Sequence, residues 1–340
     1  MGVGYAPQEF MVAQYPPLHS LGRKLDPGPE AFGFIRSSND LLDQPELLRA
    51  RLEEDGYLYI QQYFDPQLIL AARRSIFSRL AAEGHLDTSH DLMEGVVHPE
   101  MLDAFKLDTA PTFKGTDGKK QNPDKAAAFR PELAASSPEI QRVVFGPEMH
   151  QFYETVFGEP VRHFDYIWCR LMGPGHGTPV HCDKVYMGRG SQDLLTCWIP
   201  YVEIPLEVGG LMILEQSHKQ AERIANYLSK DVDAYCENDP AQVQAVAQDG
   251  KWSFPGWLSK NPETLPAKFG GRWLTAPEWK IGDFITFRID LIHGSLDNQS
   301  NRVRFSTDTR FQPANQPADE RWIGENPPGH SLAGKLGRIC

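Results

Sequence analysis

Cysteine is scarce in this chain, five in 340 residues, and Cys169, Cys182, Cys197, Cys236 and Cys340 form no C-x-x-C pair. An odd count with that spacing excludes a zinc ribbon and offers no disulfide framework, so the expectation is reduced thiols in a cytoplasmic protein. Positive charge is short as well: 34 Lys and Arg stand against 45 Asp and Glu, a net charge of −11. Basic residues nowhere cluster, which excludes nucleic acid and anionic membrane as principal partners. No apolar run comes near the ~20 residues that cross a bilayer. The N-terminal stretch has no basic segment followed by an apolar one, as a secretory signal would. Internal repeats, low-complexity tracts and linkers are also missing. What is present, 41% hydrophobic residues over this length, suits one elaborated soluble domain covering 1–340.

The first 40 residues are rich in Pro and Gly and predict a surface-wrapping arm. Helical support is expected over 41–157. "LLDQPELLRARLEED" carries leucines on one face and stops at Gly56. "YLYIQQYF" (57–64) reads as a strand. Asp65-Pro66 then supplies an N-cap and an N1 proline for a helix to about Glu83. Residues 105–135 look irregular, and a helix is expected over 138–157. From about 158 to 312 the texture changes to short β-like runs at 161–172, 179–187, 193–202, 209–215, 283–293 and 302–312. Turn residues separate them, as in a sandwich or barrel. An insertion at about 219–280, with Trp252, Trp257 and Trp273, interrupts this series and is expected to cover the barrel mouth. Residues 313–340 form a C-terminal tail.

Three His-x-Asp pairs occur: His85/Asp87, His163/Asp165 and His181/Asp183. On a strand, alternate residues share a face, so such a pair aims both groups at one point. His85 follows a helix end in a polar loop. His163 opens an apolar strand with no specific downstream partner and reads as a histidine bonded to backbone. His181-Cys182-Asp183 follows the loop "GPGHGTP", which can bring a chain segment to a cavity mouth. His176 inside that loop reads as a loop contact. Downstream, Ile285, Phe287, Ile289, Leu291 and His293 fall on one face of a predicted strand, which points His293 into the core. A lone histidine there is ordinarily a core residue. Its position after a His-x-Asp pair, with an arginine eleven residues further on at Arg304, favours a ligand. Two imidazoles and one carboxylate on one face of a metal leave three positions open, the donor set of non-haem Fe(II) oxygenases. A bidentate oxoacid in two of those positions needs a cation for its far carboxylate, and the arginine fork suits it.

These residues, with "EEDGYLYIQQYFDPQLI", "EVGGLMILEQSHK" and "HGSLDNQSNRVRFS", resemble the phytanoyl-CoA dioxygenase family of Fe(II)/2-oxoglutarate-dependent oxygenases over roughly 50–312. The resemblance implies a mainly β fold with flanking helices, the double-stranded β-helix or jelly roll. It implies His181, Asp183 and His293 as iron ligands, and Arg304 with Ser295 for the far carboxylate of 2-oxoglutarate. Trp198 matches a position lining the co-substrate pocket, although a core tryptophan fits equally. Arg170 shares a strand face with Trp168 and can reach the same pocket, and Tyr186 is a further wall candidate. His218, in a family turn, stays outside the site. The implied reaction consumes O₂ and 2-oxoglutarate, gives succinate and CO₂, and hydroxylates an unactivated C–H bond. Asp183 favours hydroxylation over halogenation, in which a small residue replaces the carboxylate ligand. Desaturation, cyclisation and epimerisation use the same ligands. No basic cluster suits CoA phosphates, so the expected partner is a small metabolite or biosynthetic intermediate. A zinc hydrolase and a non-catalytic jelly-roll binding protein are the rival readings, and the oligomeric state stays open.

Overall fold

The computed structural model describes residues 16–106, 127–249 and 254–340. In chain order its main elements are β1 (Phe32–Phe34), α1 (Pro45–Asp55), β2 (Tyr57–Ile60), α2 (Pro66–Ala82), α3 (Pro138–Val144) and α4 (Pro147–Phe157). There follow β3 (Val161–His163), β4 (Trp168–Met172), α5 (Lys184–Met187), β5 (Leu195–Pro200) and β6 (Leu211–Leu214). The last four are β7 (Trp273–Thr275), β8 (Phe284–Arg288), β9 (His293–Ser295) and β10 (Arg304–Pro313).

Local chemistry explains the helix boundaries. The Asp65 side chain accepts the Gln67 N–H at 2.9 Å, capping α2 ahead of Pro66, and Ile69, Ala72, Ile76 and Leu80 bury its inner stripe. Gly56 ends α1 at φ 79°. A Cβ there would lie 2.5 Å from the His218 ring, so neither the backbone nor the space admits a side chain. The single helix expected over 138–157 is two, because Pro147 cannot donate the N–H that continuation through Gly146 requires.

Two sheets make the jelly roll. The larger runs β2–β8–β5–β10–β3, with β4 also paired to β10, and all its pairings are antiparallel. The smaller runs β9–β6–β7–β1, and its β7–β1 pairing is parallel. The N-terminal arm is therefore partly a sheet strand rather than only a wrap. Trp273 is likewise a buried strand residue of β7, so it does not serve the insertion as a lid aromatic. Trp252 lies outside the described residues.

Strand β10 is buried along its whole length, and its two faces meet different neighbours. Phe305 packs on Phe77 of α2 and Phe311 stacks on Tyr153 of α4 at 4.1 Å. Arg304, Asp308 and Arg310 face the other way, into the interior between the sheets. A strand covered on both sides still alternates here because one covering layer is apolar and the other is a polar cavity.

Beyond β10 the chain returns beside the insertion. Arg321, 1% exposed, bonds Asp319 and Asp233. Lys335 Nζ donates to Asp233 at 2.8 Å, and His330 Nδ1 lies 2.7 Å from the same carboxylate. Leu336–Arg338 pairs with Ala234–Cys236, and Cys236 is bonded to Cys340. This differs from the expectation of five reduced thiols. Cys169, Cys182 and Cys197 are free and buried. Among the described residues no helix is long and apolar enough to cross a membrane.

Candidate active site

His181 and His293 are brought together by backbone pairing. Each donates its N–H to the other's carbonyl at 2.9 Å, a closely spaced antiparallel pair whose side chains stand on the same side. The ring centroids are 4.2 Å apart. Gly177 lets the preceding loop press on β9, since a Cβ there would sit 2.4 Å from the Ser295 carbonyl. Asp297 fixes the same corner by accepting the N–H groups of Leu21, Gly22 and Gly177.

The segment 179–187 is not the strand expected. Val180 and His181 form single bridges, and Asp183 has helical dihedrals that lead into α5. The predicted strand 283–293 also breaks, after Arg288, so that His293 starts a strand of the other sheet. The side chains converge nonetheless. His181, Asp183 and His293 each offer a ligand atom, all within 4.8 Å of one another and all buried. Asp183 Oδ1 lies 3.5 Å from His181 Nε2 and 3.7 Å from His293 Nε2. Each Nδ1 is occupied by a backbone carbonyl, Pro179 at 2.7 Å and Leu291 at 3.0 Å. That fixes the tautomer and turns both Nε2 lone pairs toward the carboxylate oxygen. Burial, with His181 adding to it, pushes His293 down to about 3, so the neutral, ligating form persists. Burial alone would raise the Asp183 carboxyl, but Arg310 and the two imidazoles hold it well below the usual carboxylate range.

His181, Asp183, His293, Arg304, Ser295, Trp198 and Arg170 all border one cavity, whereas Tyr186, the further wall candidate, is not among its lining residues. Arg304 is 3% exposed and reaches only backbone oxygens, Gly209 and Leu296. Its Nε has no partner, and no carboxylate lies within ion-pair distance among the described residues. Burial, with Arg170 nearby, pushes this guanidinium down to about 9. Ser295 Oγ accepts the Thr178 N–H at 2.7 Å and keeps its own proton to donate. Arg170 instead grips Asp308 through two nitrogens, at 2.7 and 3.3 Å.

The other two His-x-Asp pairs are elsewhere. His163 stacks on Phe145 with its Nδ1 2.9 Å from the Phe164 carbonyl. His85 is buried against Phe105. Arg302 is exposed, unlike Arg304. Sequence reasoning missed Asp308, Arg310 and Thr196. The first two share the strand face of Arg304, which was the signal that could have found them. The insertion lies against the metal-binding segment: Cys182 N–H donates to Tyr227 Oη at 3.0 Å, and Leu258 N–H donates to the Val180 carbonyl at 2.7 Å.

The donors present fit a divalent metal and a dicarboxylate. Two neutral imidazoles and a carboxylate are the facial set for Fe(II), and a buried guanidinium with no ion-pair partner among the described residues suits a carboxylate from outside the chain. The comparisons agree. A 1-deoxypentalenic acid 11-beta-hydroxylase of Streptomyces arenae is 25% identical over 303 residues, covering 84% of this chain and 87% of the relative. Its counterpart in Streptomyces exfoliatus is 25% identical over 287 residues, 81% and 83% of the two chains. Among solved structures, the non-haem α-ketoglutarate-dependent carbocyclase SnoK from nogalamycin biosynthesis aligns with TM-score 0.52 at 16% identity, over 80% of this chain and 86% of that one. EctD from S. alaskensis with bound Fe gives 0.51 at 16% identity, over 92% and 93%. These two share the fold. The profile of the phytanoyl-CoA dioxygenase (PhyH) family matches residues 52–306. This chain belongs to the phytanoyl-CoA dioxygenase family of Fe(II)- and 2-oxoglutarate-dependent oxygenases.

Proposed function

We propose that the protein hydroxylates an unactivated C–H bond of a small metabolite or biosynthetic intermediate, converting 2-oxoglutarate and O₂ to succinate and CO₂. The enzyme class is that of the family, a non-haem Fe(II)/2-oxoglutarate-dependent dioxygenase. Iron, when bound with 2-oxoglutarate and O₂, supplies the oxidant that cleaves the C–H bond. His181, His293 and Asp183 would hold it, the two imidazoles through Nε2 and the carboxylate through Oδ1. Arg304 takes the far carboxylate of 2-oxoglutarate, and Ser295 donates to the same group. Trp198, Leu211 and Phe287 give the cavity its apolar wall and keep water from the reacting atoms. The relatives named as hydroxylases of a carboxylic acid support hydroxylation of a small molecule.

The observation that carries this reading is Arg304, a buried cation beside the triad with no carboxylate within ion-pair distance among the described residues. A zinc hydrolase gives it no role. Anaerobic titration of the Fe(II)-loaded protein with 2-oxoglutarate tests the point, and a metal-to-ligand charge-transfer band is the expected result. Its absence, with metal binding confirmed, overturns the oxygenase reading. The 219–280 insertion, bonded to the His181 segment, shapes the approach of substrate. Hydrogen exchange unchanged across it in the substrate complex would count against that role.

A further inference from the structure

Asp183 is held from behind, and the hold is one-sided. Its Oδ2 accepts two hydrogen bonds, from Arg310 Nη2 at 2.7 Å and from Thr196 Oγ1 at 2.5 Å. Its Oδ1 faces the two Nε2 atoms, 3.5 Å from that of His181 and 3.7 Å from that of His293. Arg310 is itself fixed on the other sides. Nη1 donates to Asp308 Oδ2 at 2.8 Å, and the guanidinium carbon lies 4.1 Å from the centroid of the Trp168 ring. Asp308 is pinned in turn by Arg170. The side chain of Arg310 is 1% exposed, so no water competes for its donors.

We propose that Arg310, assisted by Thr196, is a positioning residue that makes Asp183 a one-oxygen ligand and prevents it from chelating a metal through both oxygens. The inference rests on the oxygenase reading for its consequence, though not for its geometry. A free carboxylate has lone pairs on both oxygens and binds metals in either mode. Two imidazoles and one carboxylate oxygen leave three of six positions open: two for the oxoacid and one for O₂. A chelating Asp183 would fill a fourth position, and after 2-oxoglutarate binds none would remain for O₂. With both donors aimed at Oδ2, chelation first requires breaking two charge-assisted bonds in a dry site. A planar fork stacked on an indole is suited to this task. A lysine ammonium at the same position could not bridge Asp183 and Asp308 with the same directionality.

The test uses Mn(II), which holds the site without turnover, and two variants of the full chain. Thr196→Val removes one donor to Oδ2 at near-constant volume, and Arg310→Lys keeps the charge but loses the fork. Crystals of the Mn(II)-loaded proteins report the coordination mode. The wild type should show one Asp183 oxygen on the metal, and the variants should show two. The Mn(II) dissociation constant should stay within about threefold of wild type, because a chelate replaces what the lost bonds gave. Substrate-free succinate formation by the Fe(II)-loaded variants should fall, by about tenfold or more in Thr196→Val, as expected for losing a hydrogen bond to a charged group. If Arg310→Lys does not fold, Thr196→Val alone decides. One-oxygen coordination retained in a folded variant overturns the proposal. So does loss of metal binding in step with stability, which would make Arg310 a structural counter-ion only. A wild type that shows the one-oxygen mode with Mn(II) but never responds to 2-oxoglutarate would sink the oxygenase reading while leaving the positioning role standing.

Discussion

Two clusters of buried charge lie in this molecule, and they are balanced differently. Under the C-terminal segment, Arg189, Arg321 and Lys335 meet Asp231, Asp233 and Asp319, cation for anion, with His330 also on Asp233. Around the cavity, Arg170 and Arg310 pair with Asp183 and Asp308, while Arg304 has no carboxylate within ion-pair distance among the described residues and feels Asp297 only from further off. In the first cluster each cation has a carboxylate partner from the chain itself. In the second, Arg310 and Arg170 are paired and Arg304 is left over. Burying an unpaired cation costs stability, and at Arg304 the fold retains that cost beside three groups that could ligate a metal. The difference separates a structural ion cluster from a binding site more sharply than burial or residue type, which the two share.

The comparison breaks most visibly at the triad. His181→Ala, Asp183→Ala and His293→Ala should each abolish succinate formation, while His85→Ala and His163→Ala retain most of it with unchanged circular dichroism. Full activity in the His181 variant would dismantle the site assignment.

The next test sets one arginine against another. Arg321→Met leaves Asp233 and Asp319 short of a cation and should cost about 3–5 kcal/mol in urea unfolding, as expected for half of a buried pair. Arg304→Met removes the unmatched cation, so the metal-free protein should be as stable as wild type or more so. The same variant should need roughly two to three decades more 2-oxoglutarate, because each ~1.4 kcal/mol is tenfold. Opposite signs for stability and co-substrate demand are the signature of a residue kept for binding. Equal destabilisation in both variants would erase the distinction.

A pH series sharpens the other half. Burial would raise the Asp233 carboxyl, but His330, Lys335 and Arg321 hold it down to about 2 against an ordinary 3.8. The stabilisation is thus present in full above pH 3.8 and is lost as pH falls through about 2. At ~1.4 kcal/mol per unit this is on the order of 2–3 kcal/mol. Asp233→Asn should lose about that much at pH 7, and the gap from wild type should close as acid is added. A gap that does not vary with pH would mean packing, not charge, holds the segment. The smallest effect is expected at Arg302→Ala, an exposed change that should alter 2-oxoglutarate demand little. A larger defect there than in Arg304→Ala would show the wrong arginine had been chosen.

Much of the site was legible in the sequence, for reasons that differ by residue. His293 and Arg304 stand at a fixed offset inside a specific motif, so pattern sufficed. His181 and Asp183 were found on an argument about strands that the backbone does not follow: Asp183 is at a turn into α5, and the ligands converge because His181 pairs with His293. Asp308 and Arg310 alternate onto the same face of β10 as Arg304, but periodicity gives the face and not its neighbour, so their place beside the triad was not legible. A sandwich or barrel followed from short strands with turn punctuation, and the jelly roll from the family resemblance. The arm strand β1 did not, because its parallel pairing to β7 joins segments far apart in sequence. The Asp233 cluster has no local signature at all. Its members come from three separate stretches, and only the folded chain makes them neighbours.

One consequence of β10 concerns which changes in chain length the protein can accept. In the proposed reading Arg304 clamps the co-substrate and Arg310 props the metal ligand, and the two lie six positions apart on one continuous strand, about 20 Å at the usual rise. The strand is in effect a ruler with two marks. Losing or gaining one residue between the marks would turn one of them toward the helices, and a change of two would slide it by about 7 Å. Connections outside sheets carry no such graduation, and doubling a loop costs only about 0.6 kcal/mol. New substrate pockets are therefore to be engineered by lengthening or replacing surface loops, with the count from Arg304 to Arg310 left untouched.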